Sequence, residues 1–231
     1  VVKACQILHK KTQKAFDISI LPLLELYQRT LARTGHPPSY SQVQKKKDLI
    51  GFDKVRLTSG KISFQRAGMQ ISLDGIAKGF IVDQAANLLK SHGIHYALIN
   101  AGGDIRAIRG KGSSPWLIGL EDPYGGKGCI QKIGLTDMAV ATSGNYENYY
   151  DPSGRHHHII ATSQGDSPRR TISATAIAPS AMLADALSTT AFVLNPVKSS
   201  QLAKLFPKTE TNVIVHGGRS YSSPGWNNFV L

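Results

Sequence analysis

In the segment "SAMLADALSTTAFVL", Asp185 and Thr189 stand four residues apart, so a helix places both on one face of an otherwise apolar stretch. A carboxylate beside a hydroxyl suits a hard, oxygen-seeking cation such as Mg²⁺, which needs few protein ligands where phosphate oxygens fill the rest of its shell. An Asp–Thr hydrogen bond tidying the helix accounts for the same pair, and the segment alone does not choose. The stretch "SLDGIAKGFIVDQAANLLKSHG", residues 72–93, sets Lys78 as an unpaired charge between small residues where a helix begins. Free backbone N–H groups and the positive end of the helix dipole gather at such a point and draw anions. A solvated surface turn is the plainer alternative. The stretch carries neither the P-loop nor the dinucleotide glycine pattern.

Two further segments hold polar residues in apolar settings. In "NAGGDI", Gly102 and Gly103 allow a ligand to approach the backbone closely, and Asp104 can accept hydrogen bonds. The same residues would serve as a tight turn. In "ATSGNYENYYDPSGRHHHII", Thr142, Ser143, Gly144 and Asn145 form a polar turn, and His156, His157 and His158 follow. On a strand His156 and His158 face one way and His157 the other, so the three make no compact zinc cluster. One histidine acting as a base fits better, since an unperturbed imidazole titrates at about 6.5. A surface histidine run needs no function.

The elements that must position these residues follow from periodicity. Residues 2–14 read as a basic amphipathic helix, and "FDISILPLLELYQRTLA" as a turn and a second helix, before "HPPSYS" breaks the pattern. Alternation in "KVRLTS", "KISFQR" and "MQISL" predicts an antiparallel sheet. The helix Phe80 to His92 is expected to bury Ile81, Ala85, Leu88 and Leu89 and to end at Gly93. "YALINAGGDIRAIRG" reads as a buried strand interrupted by a Gly-Gly-Asp turn. Further strands are expected near Trp116 to Leu120, Ala139 to Thr142, His157 to Ile160 and Ile172 to Ala178; a strong helix through "SAMLADALSTTAFVL" and a strand "TNVIVHGG" follow. This order gives an α+β fold of largely antiparallel sheets packed with helices, as one domain over residues 1–231, with alternating βαβ only in the middle.

Composition bounds the function. With 231 residues, 41% of them hydrophobic, the chain can bury a sizeable core. No apolar run approaches the roughly 20 residues that span a bilayer, and the first residues have no signal-peptide character. The chain is therefore expected to be soluble, either cytoplasmic or preceded by a targeting segment. The net charge of +12 is spread out, with Lys45, Lys46 and Lys47 its one run. Without interleaved aromatics or zinc-finger spacing it reads as a solvated basic face and not as a nucleic-acid site. Cys5 and Cys129 make neither a metal motif nor a disulfide framework.

Taken together, "FDISILPLLELY", "LDGIAKGFIVDQA", "ALINAGGDIRA", "ATSGNYEN" with "HHHII", and "APSAMLADALSTTAFVL" resemble the ApbE family, the FAD:protein FMN transferases, in order and spacing over most of the chain. The resemblance implies an Mg²⁺-dependent enzyme that cleaves the FAD diphosphate and passes the FMN phosphoryl group to a Thr or Ser hydroxyl of a partner flavoprotein, releasing AMP. It implies a metal held by the carbonyl near Ala77 with Asp185 and Thr189, and His158 as general base. On the same resemblance Lys78 would supply a positive charge at the diphosphate, with Asp74 and Gly75 lying against it. By the same resemblance Asn100, Gly102, Gly103, Asp104, Thr142, Ser143, Gly144 and Asn145 would line the nucleotide. It also implies a location in the periplasm or at the outer face of the cytoplasmic membrane of a bacterium, where an upstream anchor could give peripheral membrane association.

Three departures bear on this. Ala161 and Thr162 follow "HHHII" where the family usually has Asp-Pro, and Asp74 stands where glycine is frequent. The family's N-terminal strand and its serine- and asparagine-containing segment do not precede "TQKAFDIS". Hydrolysis of FAD to FMN and AMP, and non-catalytic FAD binding, are the alternatives these departures keep open.

Overall fold

The computed structural model describes residues 1–109, 114–146, 148–151 and 154–231. The chain divides into two compact units, Val1–Gly75 with Asn145–Arg169, and Ile76–Gly144 with Arg170–Leu231.

The first unit is built from helices α1 (Val2–Lys11), α2 (Leu21–Thr34) and α3 (Tyr40–Lys47) and a hairpin of β1 (Val55–Thr58) and β2 (Lys61–Phe64). Helix α1 stops before residue 14 because Gln13 and Lys14 adopt φ of 52° and 72°, which no helix accommodates. Pro22 sits in the first turn of α2, and Gly35, at φ 69°, ends it. Helix α3 is absent from the sequence reading, where "HPPSYS" is only a break. Its start is a capping box in which Ser39 and Gln42 satisfy each other's backbone N–H groups. Leu23, Tyr27, Leu31, Val43, Ile50 and Ile160 form the core.

Two expected strands in this unit do not form. Around "MQISL", Met69 is buried and Ser72 N–H donates to Ile18 O (2.8 Å), so this stretch is tied to the short 3-10 helix Ile18–Ile20 and not to a ladder. Around His157 to Ile160 there is a single bridge, His157 to Tyr149.

The second unit contains a six-stranded sheet in the order β10-β9-β8-β7-β4-β3. Its strands are β3 (Ala97–Ala101), β4 (Asp104–Ile108), β7 (Ala139–Gly144), β8 (Thr171–Ala178), β9 (Glu210–Val215) and β10 (Ser220–Ser222). Strands β5 (Trp116–Glu121) and β6 (Cys129–Leu135) form a separate pair. Gly110, the last residue of the segment read as the strand pair β3–β4, lies outside the described residues. Among the described residues every strand pairing is antiparallel, and the expected βαβ in the middle of the chain does not form there: β2 and β3 flank helix α4 (Ala77–Ser91) in sequence but belong to different sheets. Strand β8, "TISATAIA", is buried along its whole length. Its small residues let helix α5 (Ala181–Val193) lie close on β7 and β8, with α4 alongside. A short helix α6 (Pro196–Ser199) follows. Among the described residues no helix is long and apolar enough to cross a membrane.

Helix α4 begins one turn earlier than its periodicity predicts and buries a different face. Gly79, Val82 and Ala86 are inside, whereas Ile81 and Leu88 are 64% and 60% exposed. The contact with α5 decides this. A Cβ built on Gly79 would fall 2.3 Å from Ala181 O, so the glycine fixes which side of α4 meets α5, and the larger apolar residues are turned aside. Gly93, at φ 80°, follows the helix as the sequence predicts.

Candidate active site

The second unit brings together most of the residues singled out by type and spacing. Strands β3 and β4 are joined by two residues, Gly102 (φ 58°) and Gly103 (φ 93°), both in the left-handed region that a tight hairpin requires. Asn100 Oδ1 accepts the Gly103 N–H at 3.0 Å and fixes that turn. Lys78, in the first turn of α4, is not an unpaired charge. Its ammonium donates to Gly102 O at 3.1 Å and ion-pairs with Asp104 Oδ1 at 3.2 Å, so it ties the start of α4 to the β3–β4 turn.

Ala77 is the first residue of α4, and the helix has no side-chain cap from its own N-cap residue, Ile76. The carboxylate of Asp185 on α5 supplies one, accepting the Gly79 N–H at 3.0 Å. In return Asp83 of α4 accepts from Ala181 N and Met182 N at 2.8 and 2.9 Å, capping α5. Sequence reasoning missed Asp83. Its one signal is a carboxylate on a helix that otherwise carries no acid.

The hydroxyl of Thr189 goes to Ser143 Oγ (3.2 Å), and Ser143 also meets Ser188 Oγ at 2.8 Å. Thr142 pairs with Thr175 at 2.9 Å across β7 and β8, while Gly144 closes β7 opposite Ser173.

Burial and charge make this corner unusual. Asp104 is 2% exposed, its Oδ2 has no hydrogen-bond partner among the described residues, and its side chain interacts with the Asp185 carboxyl. Burial raises the Asp104 pKa against the pull of Lys78. Burial, and after it the negative charge of Asp104, push Asp185 up to about 7. Two buried carboxyls therefore face one ammonium that is itself 46% exposed. The donor set fits Mg²⁺: two carboxylates and the Ser143 and Thr189 hydroxyls are all hard oxygens, and this ion takes one or two carboxylates together with phosphate and water oxygens. Among the described residues no group of three or more His, Cys, Asp or Glu is poised to hold a metal.

The remaining candidates, Asp74, Gly75, Asn145 and His158, belong to the first unit. Asp74 is exposed, with its N–H on Ser72 Oγ at 3.1 Å. Its charge, after burial, raises the Tyr150 pKa. His158 is half-buried, with Nδ1 3.4 Å from Asn148 O, and its N–H also donates to Asn148 O. His157 is buried; Nε2 lies 3.3 Å from Pro168 O, Nδ1 accepts from Ile159 N, and desolvation lowers its pKa to about 4. His156 Nδ1 meets Asp166 Oδ1 at 3.2 Å and its ring lies against Tyr27. Asp166 also escaped the sequence reading. It sits opposite Ala161, pairing through Ala161 N–H to Asp166 O at 3.0 Å, so a carboxylate stands beside the histidines although residue 161 itself has none.

The ApbE family model matches residues 1–214. The FAD:protein FMN transferase of Haemophilus influenzae is 32% identical over 210 residues, covering 85% of this chain and 60% of that protein. The protein of the same name from Treponema pallidum is 35% identical over 193 residues, 75% of this chain and 53% of its own length. Among solved structures, an ApbE protein of Thermotoga maritima superposes with a TM-score of 0.89 at 33% identity, covering 99% of this chain and 76% of that one. The flavin transferase ApbE of Vibrio cholerae gives 0.85 at 28% identity over 99% of this chain and 75% of its own. The chain thus spans 60% and 53% of the first two relatives.

Proposed function

This chain belongs to the ApbE family, and we propose that it is an FAD:protein FMN transferase, cleaving the FAD diphosphate with Mg²⁺ and passing the FMN phosphoryl group to a Thr or Ser hydroxyl of a partner flavoprotein, with AMP released. The observation that carries the reading is the grouping of Lys78, Asp104 and Asp185 where α4, α5 and the β3–β4 turn meet.

Phosphoryl transfer depends mainly on positioning and on neutralising charge around phosphorus. Asp185, Thr189 and the Ala77 carbonyl are the proposed holders of Mg²⁺, which when bound supplies charge neutralisation at the diphosphate. Lys78 adds a fixed positive charge, because Gly102 O and Asp104 hold its ammonium in place. The β3–β4 turn, from Asn100 to Asp104, and residues Thr142 to Asn145 are assigned to the nucleotide, where glycines leave the backbone open to a ligand. Asp74 and Gly75 are assigned to the diphosphate. His158 takes the proton of the acceptor hydroxyl, a role imidazole fills near neutral pH.

Incubation with FAD, Mg²⁺ and a Thr-containing acceptor peptide tests this reading. AMP release together with FMN mass added to the peptide is expected. AMP without peptide modification would replace transferase by FAD pyrophosphatase, and binding of FAD with neither product would reduce the chain to a flavin-binding relative.

A further inference from the structure

The Asp104 side chain is 2% exposed, and only one of its oxygens is accounted for by Lys78. The other, Oδ2, has no hydrogen-bond partner among the described residues, and the Asp185 carboxyl interacts with the same side chain. A buried carboxylate oxygen without a donor is costly, and a second carboxylate at its side adds repulsion. The nearby Ser143 hydroxyl is taken up by Ser188 and Thr189. A proton shared between the two carboxyls relieves part of that repulsion, and a divalent cation with a preference for oxygen satisfies both acids while they stay ionised.

We propose that Asp104 is a ligand of the divalent cation, acting with Asp185, so that β4 contributes a carboxylate to the metal site and Lys78 is held by the other oxygen of the same group. Asp104 is thereby moved from the nucleotide pocket to the metal, and one side chain fixes both positive charges that the diphosphate meets. This inference rests on the cation-dependent reading above.

The test is direct cation binding, which needs no turnover. Mn²⁺ is titrated into the protein, with and without FAD, and the free ion followed by electron paramagnetic resonance, with circular dichroism as the check on folding. Asp104→Asn, which keeps size and shape, should weaken Mn²⁺ binding 10-fold or more. Without FAD, Lys78→Met removes a competing positive charge and should leave binding unchanged or tighter. If Asp104 merely anchored Lys78, the two variants would behave alike. Asp104→Asn binding Mn²⁺ as tightly as the parent, Lys78→Met losing as much affinity as Asp104→Asn, or a parent that binds no Mn²⁺ would each overturn the proposal. A parent that binds Mn²⁺ through Asp104 yet releases no AMP would leave this inference standing and remove the transferase reading.

Discussion

Asp185 and Asp83 cap each other's helices. Asp185 on α5 accepts the Gly79 N–H of α4, and Asp83 on α4 accepts the first two N–H groups of α5. The exchange locks the two helices that carry Lys78 and the proposed metal ligands, and each cap also favours its helix dipole. Asp83→Ala should therefore lower stability by about 1–2 kcal/mol, the usual worth of an N-cap carboxylate. Urea unfolding at pH 7 is the measurement; an unchanged midpoint would mean the caps contribute nothing.

The two roles of Asp185 can be separated. Asp185→Asn keeps an oxygen for the Gly79 N–H and removes the charge, so it should retain most of the parent's thermal stability while Mg²⁺-dependent AMP release is lost. Asp185→Ala should lose both. Equal AMP release by Asp185→Asn and the parent would show that the carboxylate is structural only.

Two glycines should respond in opposite ways. Gly79→Ala drives a methyl group into Ala181 O and should cost about 1–3 kcal/mol or more as an overpacking change, seen as a lower unfolding midpoint. Gly103 has open space where a Cβ would go, so Gly103→Val meets backbone strain at φ 93° and not a clash within the protein. It should stay folded and weaken FAD binding by filling the space the ligand needs, measured by fluorescence titration. Undiminished FAD affinity in that variant would remove the β3–β4 turn from the pocket.

His158→Ala should slow transfer by about 10²- to 10⁴-fold, the usual contribution of a general base, and leave FAD affinity nearly unchanged. Single-turnover transfer to a peptide acceptor, with FAD binding measured separately, makes the distinction. Full transfer with the parent's pH dependence would move the base elsewhere, with His156, held by Asp166, the next to test.

His157 gives a pH dependence of stability. Its folded pKa is lowered to about 4 by burial, below the ordinary value of 6.5. Above pH 6.5 both folded and unfolded chains leave it neutral. As the pH falls from about 6.5 toward 4, the unfolded chain gains a proton that the fold refuses, and stability drops by up to about 1.4 kcal/mol per pH unit. Protonation would also remove the Nδ1 acceptor that Ile159 N–H uses. Urea midpoints at pH 7, 6 and 5 should fall more steeply for the parent than for His157→Gln; parallel slopes would assign the acid sensitivity to other groups.

The sequence by itself determined the elements whose signals are local. Helix α5, strands β5, β7, β8 and β9, the Gly-Gly turn and the Gly93 stop follow from periodicity, glycine freedom and capping, which depend on residues a few positions apart. The segment order was also enough to point to the family. What the tertiary structure decided involves residues far apart in the chain. Lys78 becomes a partner of Asp104 because α4 starts at the β3–β4 turn, and Asp104 becomes a neighbour of Asp185 only when strand register and helix packing bring them together. The buried face of α4 is chosen by Gly79 against Ala181, where the absence of a side chain outweighs the larger apolar residues that the pattern favoured. Asp166 beside His156 was hidden for the same reason. A carboxylate's partner is set by which backbone segments burial forces together, and no spacing rule in the chain records that.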